Sequence, residues 1–126
     1  MPRLLITDDD RSMRQTLADA LSRCGFDIAT AGDGEEAIRL FDTGEVHLVI
    51  VDFHMPRLSG LEVIRYVRSR NSRLPCILMS AKLSEPVRRE AEQMHTCGIF
   101  DKPLRLASLR QTVSQSLLEI YGWRAG

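Results

Sequence analysis

The chain has 126 residues, a length that suits one domain and leaves no room for two ordinary hydrophobic cores. Its 44% hydrophobic and 27% charged residues are typical of folded globular chains and exclude a disordered one. The 17 basic and 17 acidic residues cancel, so no overall charge draws the chain to nucleic acid or to a membrane, and we expect neither as a direct partner.

Cysteine use and the N-terminal stretch predict the compartment. Cys24, Cys76 and Cys97 form no C-x-x-C pair, and each lies among apolar or small residues, which indicates buried free thiols in a reducing compartment. Arg3 and Asp8 interrupt any N-terminal apolar stretch, so no signal peptide is recognisable. No segment approaches the roughly 20 apolar residues of a membrane span. We expect a cytoplasmic protein.

Apolar runs alternate with stretches of helical spacing along the chain. The predicted strands are RLLIT (3–7), FDIATA (26–31), HLVIVDF (47–53), PCILMSA (75–81) and GIFDKP (98–103). The apolar faces of the helices that follow them span 13–24, 37–41, 61–67, 87–94 and 106–120. This alternation predicts an α/β fold, a doubly wound five-stranded parallel sheet with helices on both faces. We assign residues 1–121 to the domain and 122–126 to a C-terminal tail or the start of a linker.

Polar side chains end four of the predicted strands: Asp8 and Asp9 the first, Asp52 the third, Ser80 the fourth and Lys102 the fifth. Because parallel strands align their carboxyl ends, we expect these groups to converge in one shallow pocket. Three carboxylates there cannot all stay ionised without compensation, so either one is protonated at a raised pKa or a hard cation neutralises them. Oxygen ligands near solvent suit Mg²⁺.

Four motifs, each at a strand end, carry a resemblance to a known family: ITDDD, DFHMPRLSG, MSA and DKP. In this order they resemble the receiver domains of two-component response regulators, which have the CheY-like, flavodoxin-like fold. The resemblance spans nearly the whole chain, and D-x-x-M-P-x-x-x-G is specific in this context. It implies a phosphorelay switch and not a turnover enzyme. Its partners would be a histidine kinase or histidine phosphotransfer protein and an unidentified downstream protein or fused output domain.

The resemblance also implies a role for each residue of the pocket. Asp52 would be the phosphoacceptor. Asp9 would bind Mg²⁺ directly, Asp8 mainly through water, and the backbone carbonyl of His54 would complete the protein's share of the metal shell, with Mn²⁺ as a possible substitute. Ser80 would hydrogen-bond a phosphoryl oxygen and follow it inward on activation.

Further implied roles concern the edges of the pocket. Lys102 would pair with Asp52 and then with the phosphoryl group, and the Lys102–Pro103 bond would be cis. His54 and Lys82 hold positions that tune hydrolysis in the family by admitting or blocking water. An exposed side chain that points away is an equally good interpretation of either residue.

The chain departs from the family pattern in two places. Ile99 stands where the family has a Tyr or Phe that swings inward with the Ser/Thr, and Phe100 beside it falls on the opposite face of the strand. His95 and Thr96 replace the Gly-Ala that often ends the fourth helix, so we expect a shifted or irregular end there. The fourth helix, fifth strand and fifth helix form the face where the family implies a possible homodimer.

Other interpretations stay open at this point. Asp10 is predicted to be the N-cap of the first helix, and His47 and His95 are predicted to be surface residues. The chain could be a pseudo-receiver, a constitutive protein-interaction domain that keeps the pocket without using it. A phosphatase of the haloacid dehalogenase type also uses a strand-end Asp, but it would leave Asp52 and its sequel unexplained and needs room for a cap.

Overall fold

Strands and helices alternate along the chain as predicted, in a computed structural model that describes residues 1–124. The strands are β1 (Arg3–Thr7), β2 (Asp27–Ala31), β3 (Leu48–Asp52), β4 (Cys76–Ser80) and β5 (Gly98–Asp101). The helices are α1 (Arg11–Ser22), α2 (Gly34–Thr43), α3 (Gly60–Arg70), α4 (Glu85–Gln93) and α5 (Leu106–Tyr121).

The five strands form one parallel sheet in the order β2-β1-β3-β4-β5. The chain runs outward from β1 to β2 and then crosses back past β1 to β3, so the strand order reverses between β1 and β3. In open α/β sheets, ligands bind beyond the carboxyl ends of the strands at such a reversal. The predicted fold class is confirmed, and it brings the ends of β1 and β3 together.

Two apolar layers cover the sheet, one on each face. The layer that includes Leu5, Val51 and Leu78 packs under α2, α3 and α4. The opposite layer, with Ile6 and Ile50, packs under α1 and α5. All residues of β3 and β4 are buried, which explains why their sequences are apolar up to the final Asp52 and Ser80 and do not alternate. Burial of this kind fixes where the last residue of each strand projects.

The helix ends confirm most of the sequence-based expectations. Asp10 caps α1, since its carboxylate accepts hydrogen bonds from the backbone N–H groups of Ser12 and Met13. Ser84 caps α4, with Pro86 in the first turn. The end of α4 is irregular, as expected, because exposed His95 has a positive φ of 59°. The Lys102–Pro103 peptide is cis.

The cysteines correct one expectation. All three are free thiols, but only Cys76 is buried, whereas Cys24 is half-buried and Cys97 is exposed. The expectation rested on small and apolar neighbours such as Gly98 and Ile99, yet Cys97 precedes β5, the edge strand of the sheet. Burial raises the pKa of the Cys76 thiol to about 12.

The C-terminal segment continues past α5 without fraying at once. Gly122 ends the helix in the left-handed conformation, and the Trp123 ring lies 5.1 Å from the Phe26 ring. Residues 125–126 of the predicted tail lie outside the described residues, and the boundary at 121 stays a prediction. No helix within residues 1–124 is long and apolar enough to cross a membrane.

Candidate functional site

Three carboxylates meet where the strand order reverses. Because β1 and β3 are neighbours, with Thr7 opposite Val51, the residues that follow come to the same edge of the sheet. One carboxylate oxygen from each of Asp8, Asp9 and Asp52 lies within 4.8 Å of the other two. Asp8 and Asp52 are buried and Asp9 is exposed, so the cluster opens to solvent on one side. The predicted convergence is therefore present.

Asp8 is held by three contacts that fix its carboxylate and its backbone. Its Oδ1 accepts from the backbone N–H of Asp10 at 2.9 Å, and its Oδ2 accepts from Lys102 Nζ at 2.9 Å. Arg14 donates from its guanidinium to the Asp8 carbonyl at 2.7 Å. Both carboxylate oxygens of Asp8 are thus engaged. Arg14 is a site residue that the sequence does not predict, because nothing in its spacing distinguishes it from other helix-face arginines.

Asp52 is less fully paired than Asp8. Its Oδ1 lies 3.3 Å from Lys102 Nζ, which is ion-pair distance, but the buried oxygen has no hydrogen-bond partner among the described residues. Burial, followed by the charge of Asp8, raises the pKa of Asp52 above its ordinary value of 3.8, while Lys102 opposes the shift. Asp52 is therefore the carboxylate of the cluster that most needs a further cation.

Lys102 bridges the two buried carboxylates. Burial alone would lower its pKa, but the hydrogen bond with Asp8 and the charge of Asp52 outweigh burial and raise the pKa of Lys102 above its ordinary value of 10.5. Its stronger partner is Asp8, at 2.9 Å, and not Asp52, at 3.3 Å. The resemblance predicts pairing with Asp52 and does not predict that Asp8 is the closer partner. Lys102 stays an ammonium over the whole neutral range.

The donor set fits Mg²⁺. Three carboxylates and one ammonium leave an excess of about two negative charges, which a single divalent cation would balance. The donors are all oxygen atoms and one side is open, so most of the shell would be water, as Mg²⁺ prefers. Among the described residues, Asp9 and Asp52 accept no hydrogen bonds and can serve as ligands, whereas both oxygens of Asp8 are already engaged. This distribution supports Asp8 as an indirect ligand.

The glycine of the D-x-x-M-P-x-x-x-G motif allows the loop after β3 to return against the strand. A Cβ on Gly60 would lie 2.5 Å from the Asp52 carbonyl oxygen and 2.9 Å from the Cα of Phe53. Gly60 also donates its N–H to the Phe53 carbonyl at 3.1 Å, and Ser59 with Glu62 forms a capping box at the start of α3. A side chain at Gly60 would push away the backbone that carries Asp52.

Ser80, the fourth predicted site residue, is buried at the end of β4. Its Oγ accepts from the backbone N–H of Lys82 at 3.1 Å, and its carbonyl accepts from the N–H of Lys102 at 2.8 Å.

His54 and Lys82 form a contact that the sequence does not predict: His54 Nε2 lies 2.9 Å from the Lys82 carbonyl oxygen. Both of their side chains are exposed at the rim of the pocket.

The two residues of the expected switch on β5 lie on opposite faces of the sheet. Ile99 packs with the layer under α2, α3 and α4, and Phe100 packs with the layer under α1 and α5. The predicted alternation is confirmed, so Phe100 does not take the place of the missing aromatic residue.

Comparison with known proteins identifies related sequences. The family model described as the response regulator receiver domain matches residues 4–114. Response regulator MprA of Mycolicibacterium vanbaalenii is 36% identical over 107 residues, which are 85% of this chain and 46% of that protein. The protein of the same name from Mycobacterium ulcerans is 35% identical over 107 residues, which are again 85% of this chain and 46% of that protein. The chain thus spans about half the length of these curated relatives.

Solved structures resemble the chain over nearly its whole length. Response regulator TrrA of Thermotoga maritima, in complex with Mg²⁺-BeF, has a TM-score of 0.83 at 32% identity and covers 93% of this chain and 100% of that one. Chemotaxis protein CheY4 of Vibrio cholerae has a TM-score of 0.85 at 28% identity, with 93% and 99% covered. A CheY-like receiver protein of Methanospirillum hungatei, at 18% identity and a TM-score of 0.92 with 97% and 98% covered, supports the fold alone.

Proposed function

The chain belongs to the response regulator receiver domain family, and on that basis we propose that it is a Mg²⁺-dependent phosphoacceptor whose Asp52 takes one phosphoryl group from a phosphohistidine donor. The observation that carries the proposal is the meeting of Asp8, Asp9 and Asp52 within 4.8 Å, with Lys102 between the two buried carboxylates. A carboxylate oxygen of Asp52 would be the nucleophile.

The surroundings of Asp52 suit attack on phosphorus. An Asp52 oxygen forms the O–P bond while the P–N bond of the phosphohistidine breaks, and the imidazole of the donor leaves with the electron pair. Burial and the charge of Asp8 raise the pKa of Asp52, which makes the carboxylate a stronger nucleophile than an exposed aspartate. Lys102 opposes that rise, which favours the ionised, nucleophilic form of the carboxylate.

The cationic groups of the pocket can compensate the negative charge that the phosphoryl group brings. Lys102, half-buried and protonated, lies where it can pass from the carboxylates to an equatorial phosphoryl oxygen. Mg²⁺, held by Asp9, Asp52, the His54 carbonyl and indirectly Asp8, would supply the remaining positive charge at the phosphoryl oxygens. Mn²⁺ as a substitute rests on the resemblance alone.

The phosphoryl group would act on partners through Ser80. A phosphoryl group adds roughly 1.5 to 2 negative charges at neutral pH. The Ser80 hydroxyl accepts a hydrogen bond here but donates none within the described residues, so its proton is free for a phosphoryl oxygen. Its movement would shift the loop that follows β4 and change which partner surface is favoured.

The partners follow from this role. The donor would be a histidine kinase or a histidine phosphotransfer protein. The curated relatives are about twice as long as this chain, which supports a fused output domain that responds to the phosphorylated receiver domain. A homodimer through α4, β5 and α5 remains a further proposal.

The direct test is intact-mass measurement after incubation with acetyl phosphate and Mg²⁺. We expect one added phosphoryl group in the wild type and in the matched control Asp10→Asn, which changes only the helix cap. We expect none in Asp52→Asn, or in the wild type with EDTA. Equal modification of Asp52→Asn would refute the assignment of the acceptor. If the wild type takes up no phosphoryl group, the pseudo-receiver alternative is favoured.

A further inference from the structure

The loop between β4 and α4, residues 81–84, has little backbone support. Among the turn and loop hydrogen bonds of the described chain, none joins the backbone of Ala81, Lys82 or Leu83 to another backbone group. Only Leu83 packs partly against the core. The position of this loop therefore depends on the side chains that reach its backbone.

Two side chains form hydrogen bonds with the backbone of Lys82, one at its N–H and one at its carbonyl. The N–H of Lys82 donates to Ser80 Oγ at 3.1 Å, and the carbonyl of Lys82 lies 2.9 Å from His54 Nε2. Because a carbonyl only accepts, Nε2 of His54 carries the proton and donates it. Lys82 thus takes part through its backbone, and its exposed ammonium makes no contact that these bonds require.

The His54 ring is oriented for this contact. It meets the Phe53 ring edge to face, with 4.9 Å between the ring centroids and 84° between the planes. Phe53 in turn packs against the core layer under α2, α3 and α4. The hydrogen bond therefore links the loop after β3 to the loop after β4, 28 residues apart in the chain.

We propose that His54 is a positioning residue whose imidazole, through the Lys82 carbonyl, holds the 81–84 loop in its present place and opposes its reorganisation on phosphorylation. The inference rests on the proposed function and deepens it. Movement of Ser80 inward toward a phosphoryl oxygen would take its Oγ away from the Lys82 N–H. Within the described chain, the His54 bond would then be the remaining hydrogen bond to the backbone of residues 81–83.

This role differs from control of water at the pocket. The hydrogen bond ties the imidazole to the loop backbone, so His54 acts on the equilibrium between two loop arrangements. One exposed hydrogen bond changes such an equilibrium about 2- to 10-fold. A ligand that requires the reorganised loop should then bind more tightly by the same factor once the bond is lost.

The first test compares His54→Leu, which fills similar space without a donor, with His54→Gln, which places an amide N–H near Nε2. Without any phosphodonor, amide hydrogen exchange at Lys82 and Leu83 should be about 2- to 10-fold faster in His54→Leu and close to wild type in His54→Gln. Lys82→Ala keeps the carbonyl and should leave this exchange unchanged. Equal exchange in the Leu and Gln variants overturns the proposal.

The second test measures the coupling to the switch. Beryllium fluoride with Mg²⁺, titrated against the amide resonances of residues 80–84, should half-saturate His54→Leu at about 2- to 10-fold lower concentration than His54→Gln. Equal half-saturation would show that the bond does not oppose reorganisation and would overturn the proposal. If no variant binds the probe, the proposed phosphoacceptor function fails, and the exchange result alone then decides whether His54 holds the loop.

Discussion

Replacement of Asp52 by Asn should make the metal-free protein more stable, although it removes the central residue of the site. Asp52 is 3% exposed, and its carboxylate lies within 4.8 Å of both Asp8 and Asp9. With an effective dielectric constant of about 20, the repulsion by buried Asp8 is about 3.5 kcal/mol, and the repulsion by exposed Asp9 is smaller because water screens it. The attraction to Lys102 at 3.3 Å is about 5 kcal/mol on the same basis. These charge interactions nearly cancel, so the ionised Asp52 is opposed mainly by desolvation of its buried carboxylate oxygen, which has no hydrogen-bond partner among the described residues, at a cost of about 2 kcal/mol.

The measurement is urea unfolding in EDTA at neutral pH, followed by far-UV circular dichroism. Asp52→Asn should raise the free energy of unfolding by about 2 kcal/mol, equivalent to a midpoint temperature higher by roughly 5 to 10 °C. Asp27→Asn is the matched control, since that carboxylate is 62% exposed and its ion pair with Arg3 spans 3.8 Å. We expect it to change stability by less than about 0.5 kcal/mol.

The pH dependence gives a second, independent check on the reasoning. The pKa of Asp52 is raised in the folded protein above the 3.8 of the unfolded chain, so the folded state binds more protons between these two values. Wild-type stability therefore falls as pH rises through this window. The advantage of Asp52→Asn should shrink as pH is lowered from 7 toward 4. A destabilised Asp52→Asn, or an advantage that does not vary with pH, would refute the electrostatic account.

Three further predictions concern the same pocket and the cysteines. Lys102→Met should lower the free energy of unfolding, measured in urea, by about 3 to 5 kcal/mol, because it leaves the buried charge of Asp8 unpaired. A decrease of less than about 1 kcal/mol would contradict the importance of this ion pair. Gly60→Ala should destabilise by at least about 1 kcal/mol and slow uptake from acetyl phosphate, because its Cβ would lie 2.5 Å from a backbone oxygen of β3; wild-type stability and uptake would contradict that contact. With Ellman's reagent at pH 8, Cys97 should react in the folded protein and Cys76 only on unfolding, since Cys76 is buried and burial raises its pKa to about 12. Equal reaction rates of the two thiols in the folded protein would refute the difference in burial.

Much of the fold follows from the sequence because the signals are local. A strand buried on both faces must be a short apolar run, as LVIVD (48–52) is, and an amphipathic helix must repeat its apolar residues at helical spacing. Asp10 could be assigned as a cap because a cap needs only its own first turn. The meeting of Asp9 and Asp52 could be predicted as well, since parallel strands align their carboxyl ends.

Other properties were decided only by the tertiary structure. The exposure of Cys97 depends on its place beside an edge strand, which its neighbours in sequence do not reveal. The bond between His54 and the Lys82 carbonyl joins two loops whose separation no local pattern encodes.

The sequence by itself determined which charged groups reach the pocket, because strand polarity and the ends of apolar runs are properties of the chain. Tertiary structure decided which of those groups pair with one another. Lys102 lies closer to Asp8 than to Asp52, and Arg14 fixes the Asp8 backbone. The physical reason is that ion pairing and desolvation change when the distance between side chains from separate elements differs by a few tenths of an ångström, as 2.9 Å differs from 3.3 Å here. Only the packed sheet and helices set those distances.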